Sequence, residues 1–227
     1  MKFLLSVIIL VSAFVTQAHA EISEVQFNSL ISLFQKQYPD ISFQGSWFND
    51  TVNAQAMRFD DAKLVVIYGG LARDAATTAD SFALMVCHEV GHHLGDGPYF
   101  PAPAGSITWA AGEGAADYFA VHGCFNQLAA SIPAQSLSLP SDQVTSLKQL
   151  CSAQSSPVIC ARAAVAGLMV AKLQWNVLPE ENPEPRIGGH DSSKVGKTLL
   201  DYASPQCRLD TFIASALGSA RPACWSH

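Results

Sequence analysis

Residues 78–95 read TADSFALMVCHEVGHHLG, and the fold turns on this stretch. Thr77 or Thr78 can cap and Gly95 is a stop signal, and no proline interrupts the apolar run between them. The segment is therefore expected to be a helix from Thr78 to Leu94. Within it stands His88-Glu89-Val90-Gly91-His92. Four residues turn an α-helix by about 400°, so His88 and His92 share one face, one turn apart. Two imidazoles in that relation can grip a single Zn²⁺, with Glu89 beside the water that the ion activates.

A zinc site that keeps a position open for chemistry needs a third protein ligand. Glu113-Gly114-Ala115-Ala116-Asp117 lies downstream, with its two acids again one helical turn apart. A carboxylate from this segment can complete the site. The acid one turn on can accept the outer N–H of a ligating histidine and fix its orientation. Glu113 and Asp117 are also the only carboxylates between Asp96 and Asp142, so they do not read as part of a solvated charged face. A longer zinc pattern, H-E-x-x-H-x-x-G-x-x-H, fits through Gly95 but ends on Pro98, which cannot bind metal. His93 points about 100° away from His92 and is assigned to the surface or to the groups around the ligands. His122 and His227 are expected to be bystanders.

Working outward, Ser23 to Tyr38 is amphipathic at helical spacing, with Phe27, Leu30, Ile31 and Phe34 on one side and Pro39 after it. Short β-rich runs follow at Ile41–Phe43, Thr51–Phe59 and Leu64–Tyr68, the last being the strongest strand signal. Further helices are expected at Ser106–Ala130, Ser141–Ala153, Ser156–Trp175 and Asp210–Leu217. A Gly/Pro-rich loop runs through Pro103, and a long one runs from Val177 to Ser193. The apolar run of Ser156–Trp175 is short and contains Arg162, which favours a buried helix over a membrane span. Together these describe one α+β domain over residues 21–227, mainly helical, with a small N-terminal sheet beside the histidine-bearing helix.

Residues 1–20 combine a positive start at Lys2, an apolar run from Phe3 to Val15 and Ala18-His19-Ala20. That order reads as a secretory signal peptide cleaved after Ala20, with no transmembrane segment remaining afterwards. Export gives meaning to six cysteines, an even number that forms up to three disulfides in an oxidising compartment. Of the fifteen possible connectivities, pairing near neighbours along the chain selects Cys87–Cys124, Cys151–Cys160 and Cys207–Cys224. The net charge of −6 argues against a nucleic-acid or anionic-membrane partner.

His88-Glu89-x-x-His92 with Glu113-x-x-x-Asp117 resembles the gluzincin metallopeptidases, and Ala116-Asp117-Tyr118-Phe119-Ala120 is especially similar to the M48-type branch. The resemblance implies a zincin-like fold holding one Zn²⁺ ion on His88, His92 and Glu113, with Asp117 behind a histidine. It implies Glu89 as the general base that hydrolyses a peptide or protein substrate. It also implies an edge strand that holds this substrate, placed here at Leu64–Leu71. Gluzincins stabilise the oxyanion with a downstream His or Tyr; elimination leaves His190, with Arg208, Tyr99 and Tyr202 behind it. The expected function is a secreted or periplasmic zinc peptidase. The alternatives are an exported binding protein with a structural zinc site and a zinc hydrolase of a non-peptide bond.

Overall fold

A computed structural model describes residues 22–102, 106–135, 138–177 and 179–227; the expected signal segment lies outside them. Helix α1 (Glu24–Gln37) starts in a capping box. The Ser23 side chain accepts from the Gln26 N–H, and the Gln26 side chain accepts from the Ser23 N–H. Phe27, Leu30 and Phe34 form its buried stripe, each contributing about 1.5–3 kcal/mol by leaving water.

The sheet contains β1 (Ile41–Ser46), β2 (Ala54–Phe59) and β3 (Ala62–Tyr68) in the order β1-β3-β2. Strand β3 runs parallel to β1 and antiparallel to β2, turning from β2 through Asp60, whose φ is +52°. This order corrects the expected edge. β3 is the most apolar strand and takes the centre, with Val65 and Ile67 fully buried, while β2, carrying Gln55 and Arg58, keeps a free edge. Leu71 lies in the short helix α2 (Gly69–Arg73) and is fully buried.

Helix α3 (Ala79–Leu94) is capped by Thr78 and closed at Gly95, as its sequence signals require. Every residue from Ala79 to His93 is buried, so this helix is the axis of the molecule. The single helix expected over Ser106–Ala130 is not formed. Instead β4 (Tyr99–Pro101) pairs antiparallel with β5 (Ile107–Ala111), and helix α4 (Glu113–Phe119) begins only after Gly112. The β-branched and aromatic residues Ile107, Thr108 and Trp109 suit a strand, and Gly112 separates them from the helix formers. α4 continues through a π-helical stretch, Ala120–Phe125, into α5 (Asn126–Leu128).

The rest is helical: α6 (Ser141–Cys151), α7 (Pro157–Trp175) and α8 (Pro205–Leu217). α8 starts five residues before the expected Asp210 because Ser204 caps it and Pro205 takes the first turn. α7, with 19 residues and a mean hydropathy of 1.4, is long and apolar enough to cross a membrane by composition alone. Here it packs against α3 and α8. Its one buried-face charge is satisfied: Arg162 forks onto Asp80 at 2.6 and 2.9 Å and donates to the Ala129 and Ile132 carbonyls. The molecule is thus α+β and mainly helical, with the small sheet beside α3.

Three disulfides join the expected partners. Cys87–Cys124 ties α3 to the π-helical stretch, Cys151–Cys160 ties α6 to α7, and Cys207–Cys224 ties α8 to the C-terminal segment.

α3 and α4 meet at Gly91, where an added Cβ would lie 2.7 Å from the Ala116 carbonyl oxygen and 2.9 Å from its Cα. Alanine would gain about 1 kcal/mol of helix propensity. Overpacking against backbone, which no rotamer change relieves, costs about 1–3 kcal/mol. Gly91→Ala is therefore expected to be no more stable than wild type and to bind metal more weakly, because it pushes Glu113 away from the histidines. A more stable variant with undiminished metal uptake would contradict this.

Candidate metal centre

The crossing of α3 and α4 sets two imidazoles against the first carboxylate of α4. His88 Nε2 lies 3.1 Å from Glu113 Oε2, and His92 Nε2 lies 3.7 Å from the same oxygen. Ligands about 2.0–2.2 Å from a tetrahedral zinc ion are about 3.3–3.5 Å apart, so these spacings suit one ion. His88 Nε2 and Glu113 Oε2 are both buried without an aligned hydrogen-bond partner. Buried polar atoms that converge on one point without aligned partners are explained by a cation between them. His88, His92 and Glu113 can therefore hold a metal ion.

The surroundings orient the ligands. His92 Nδ1 is 2.8 Å from the Ala111 carbonyl; a carbonyl only accepts, so Nδ1 carries the proton and Nε2 is free to ligate. His88 Nδ1 is 2.7 Å from Asp117 Oδ1, an ion-pair distance, although the N–H does not align as a hydrogen bond. Asp117 is in turn gripped by Arg208, whose Nε and Nη2 lie 3.0–3.2 Å from its carboxylate oxygens. Arg208 is 5% exposed and its guanidinium also sits 4.9 Å from the Tyr202 ring centroid. The Tyr202 ring stacks on His88, 6.4 Å between centroids and 17° between planes.

The electrostatics follow from burial and these neighbours. Burial holds the His92 imidazole down to about 4. Burial also opposes charge on His88, but Asp117 and Glu113 overcome it and raise the imidazole to about 10. Burial would raise Glu113, yet His88 and His92 bring it to about 2. Glu89 is pushed up to about 7 by burial, assisted by the neighbouring Glu113 charge and opposed by His88 and a backbone hydrogen bond. That bond runs from the Ala56 N–H to Glu89 Oε2 at 2.7 Å and holds the carboxylate beside the free edge of β2.

These groups open into a cleft of about 310 Å³. The cleft is lined by Asn53 and the β2 residues Ala54, Gln55 and Ala56, by Phe100 and Ala110, and by Tyr202 with Glu89, His92 and Glu113. A larger apolar groove of about 390 Å³ runs along α1 past Leu30 and Leu33, and none of the candidate ligands lines it.

The structure brings together His88, Glu89, His92, Glu113 and Asp117 as the sequence spacing suggested. It does not bring His190 to them. That side chain is 72% exposed, pairs with Asp210 at 3.1 Å and lines a different cavity. Tyr99, another candidate, donates to the Gly95 carbonyl. Tyr202 is the aromatic hydroxyl in the cleft. His93 is not a surface residue: it is buried, stacked on Trp109, with Nε2 3.1 Å from the Leu64 carbonyl. Sequence reasoning missed the Arg208–Asp117 pair, since 91 residues separate the partners and no local pattern links them.

No protein-family model matches the chain, and no curated protein or solved structure matches it significantly.

Proposed function

We propose that this chain is an exported zinc-dependent peptidase of gluzincin type. The observation that carries the reading is the placement of Glu89. Its carboxylate stands next to the three converging ligand atoms and at the same time on the free edge of β2. An extended peptide can add to such an edge through main-chain hydrogen bonds, which presents its backbone to Glu89. A structural zinc site has its coordination closed by protein and no use for a base at an open cleft. Three disulfides agree with an oxidising compartment and with the signal-like residues 1–20.

A bound zinc ion supplies Lewis acidity, polarising the scissile carbonyl and bringing the pKa of water toward about 7. Glu89 takes the proton as water attacks that carbonyl and returns it to the leaving nitrogen. Tyr202, whose ring stacks on His88 where it lines the cleft, donates its phenol proton toward the developing oxyanion. Ala56 and Ala111 hold Glu89 and His92 in place throughout.

The test is metal content together with hydrolysis. The purified protein is expected to retain one zinc ion per chain and to cleave an unfolded protein substrate, with cleavage lost on chelation and restored by zinc. Without the ion, His88 is protonated at neutral pH. Zinc uptake at pH 7 is therefore expected to release at least one proton, from His88 with a further part from Glu89, read by calorimetry in buffers of different ionisation enthalpy. A protein that retains no zinc, or hydrolysis indifferent to chelation, would remove the proposal.

A further inference from the structure

Arg58 and Lys63 are directly opposed across the β2–β3 pair, two residues beyond the Ala56 that binds Glu89. Like charges facing each other across strands are destabilising. Here neither has an ion-pair or hydrogen-bond partner among the described residues. The five other arginines, at 73, 162, 186, 208 and 221, each grip a carboxylate or a carbonyl. Asp60 and Asp61, in the turn joining the two strands, make no ion pair with either cation. Arg58 is instead held over the Trp109 ring, 5.3 Å from its centroid. His93 also stacks on that ring, 4.7 Å away, and is more than nine-tenths buried with Nδ1 unpartnered.

The position relates this pair to the cleft. Residues 54, 56 and 58 alternate onto one face of β2, and the cleft runs along the strand edge past Ala54, Gln55 and Ala56. Arg58 continues that row about 7 Å further along the strand, roughly the span of two residues of an extended peptide. A peptide lying on the edge, with its scissile bond at Glu89, brings the side chain about two residues away alongside Arg58.

We infer that Arg58 and Lys63 form an anion subsite that selects peptide substrates with a carboxylate side chain about two residues from the scissile bond. The inference rests on the peptidase reading and adds a substrate class to it. Trp109 packs against the Arg58 guanidinium and restricts its motion, so less entropy is lost when it meets a carboxylate. The two opposed cations are relieved of mutual repulsion only when an anion joins them. For a chain of net charge −6, a preference for acidic peptides requires such a local feature.

The experiment compares fluorogenic peptides that carry Glu, Gln or Lys at each of the three positions on either side of the scissile bond. It uses the full zinc-loaded protein and its Arg58→Gln, Lys63→Gln and Arg58→Glu variants. In wild type, kcat/KM for the Glu peptide is expected to exceed that for the Gln peptide about five- to tenfold at one position, the ratio shrinking in high salt. The ratio is expected to fall toward one in Arg58→Gln, to fall partway in Lys63→Gln and to invert in favour of Lys in Arg58→Glu. Each ratio is internal to one protein, so a change in overall activity does not disguise it. Equal cleavage of Glu and Gln peptides by wild type at every position would overturn the inference, whether or not the variants fold. So would a ratio that survives in Arg58→Glu. If wild type cleaves none of the peptides, the peptidase reading is what has failed. Fluorescence anisotropy of the same peptides on wild type then decides the subsite, and equal binding of Glu and Gln peptides overturns it.

Discussion

Glu89→Gln is expected to lower kcat by about 10²–10⁴-fold while zinc content stays unchanged. The amide is nearly isosteric, and its oxygen can still accept from the Ala56 N–H, so the local structure has no reason to move. What is lost is the capacity to take a proton. Burial places the Glu89 carboxyl near 7 in the absence of the ion, well above an ordinary glutamate. The base works ionised, so wild-type activity rises with pH as its proton leaves and falls as pH drops. A nearby divalent cation favours the carboxylate and moves that acid limb below 7. Residual activity of Glu89→Gln is expected to lack this limb. Steady-state kinetics across pH, with metal analysis of the same samples, checks both points. Full activity in the variant would exclude Glu89 as the base, and loss of zinc would show that it acts through the metal centre instead.

Arg208→Met is expected to destabilise the protein by about 3–5 kcal/mol. Both partners of this pair are buried, Asp117 at 3% exposure and Arg208 at 5%. Removing the guanidinium leaves the Asp117 charge without its main compensation and without the hydrogen bonds that hold it against His88. Burial alone would disfavour a charged Arg208, but the Asp117 carboxylate raises its pKa above the ordinary value, so it stays charged. Adding Asp117→Asn to Arg208→Met is expected to recover part of the stability, because the orphaned charge disappears. Asp117→Asn alone is expected to weaken zinc binding by about 10–100-fold through loss of His88 orientation. Denaturant unfolding of the single and double variants, with zinc competition titrations, measures these effects. If Arg208→Met unfolds within about 1 kcal/mol of wild type, the pair does not support the centre as argued.

Much of the candidate centre was legible because its parts obey helix periodicity. His88 and His92 are one turn apart on a segment whose caps, Thr78 and Gly95, are local signals. Glu113 and Asp117 stood out against a charge-poor stretch for the same reason. The disulfides followed proximity in the chain. Three expectations gave way where pairing partners decide. Ile107–Ala111 was read into a helix, but a strand needs its partner at Tyr99–Pro101, which lies across a loop. Leu64–Tyr68 was recognised as a strand and wrongly placed at the edge, because apolarity reports burial and the most buried strand goes to the centre. His190 was placed ahead of Tyr202 by elimination, because no spacing rule links either to the helix, yet Tyr202 is the one carried over His88. Its segment is fastened there by the Leu200 carbonyl accepting from the Glu113 N–H.

By itself the sequence determined the ligand-bearing helix, the residues able to meet a metal, the carboxylate between the two histidines and the mainly helical α+β class. Each of these depends on side chains within a turn or two of one another, where covalent geometry sets the spacing. Only the tertiary structure decided that Glu89 faces the free edge of β2, that Arg208 neutralises Asp117 and that Arg58 and Lys63 confront each other beyond the cleft. Those relations join residues tens of positions apart or depend on strand order and register, and both are settled by packing the whole chain around α3.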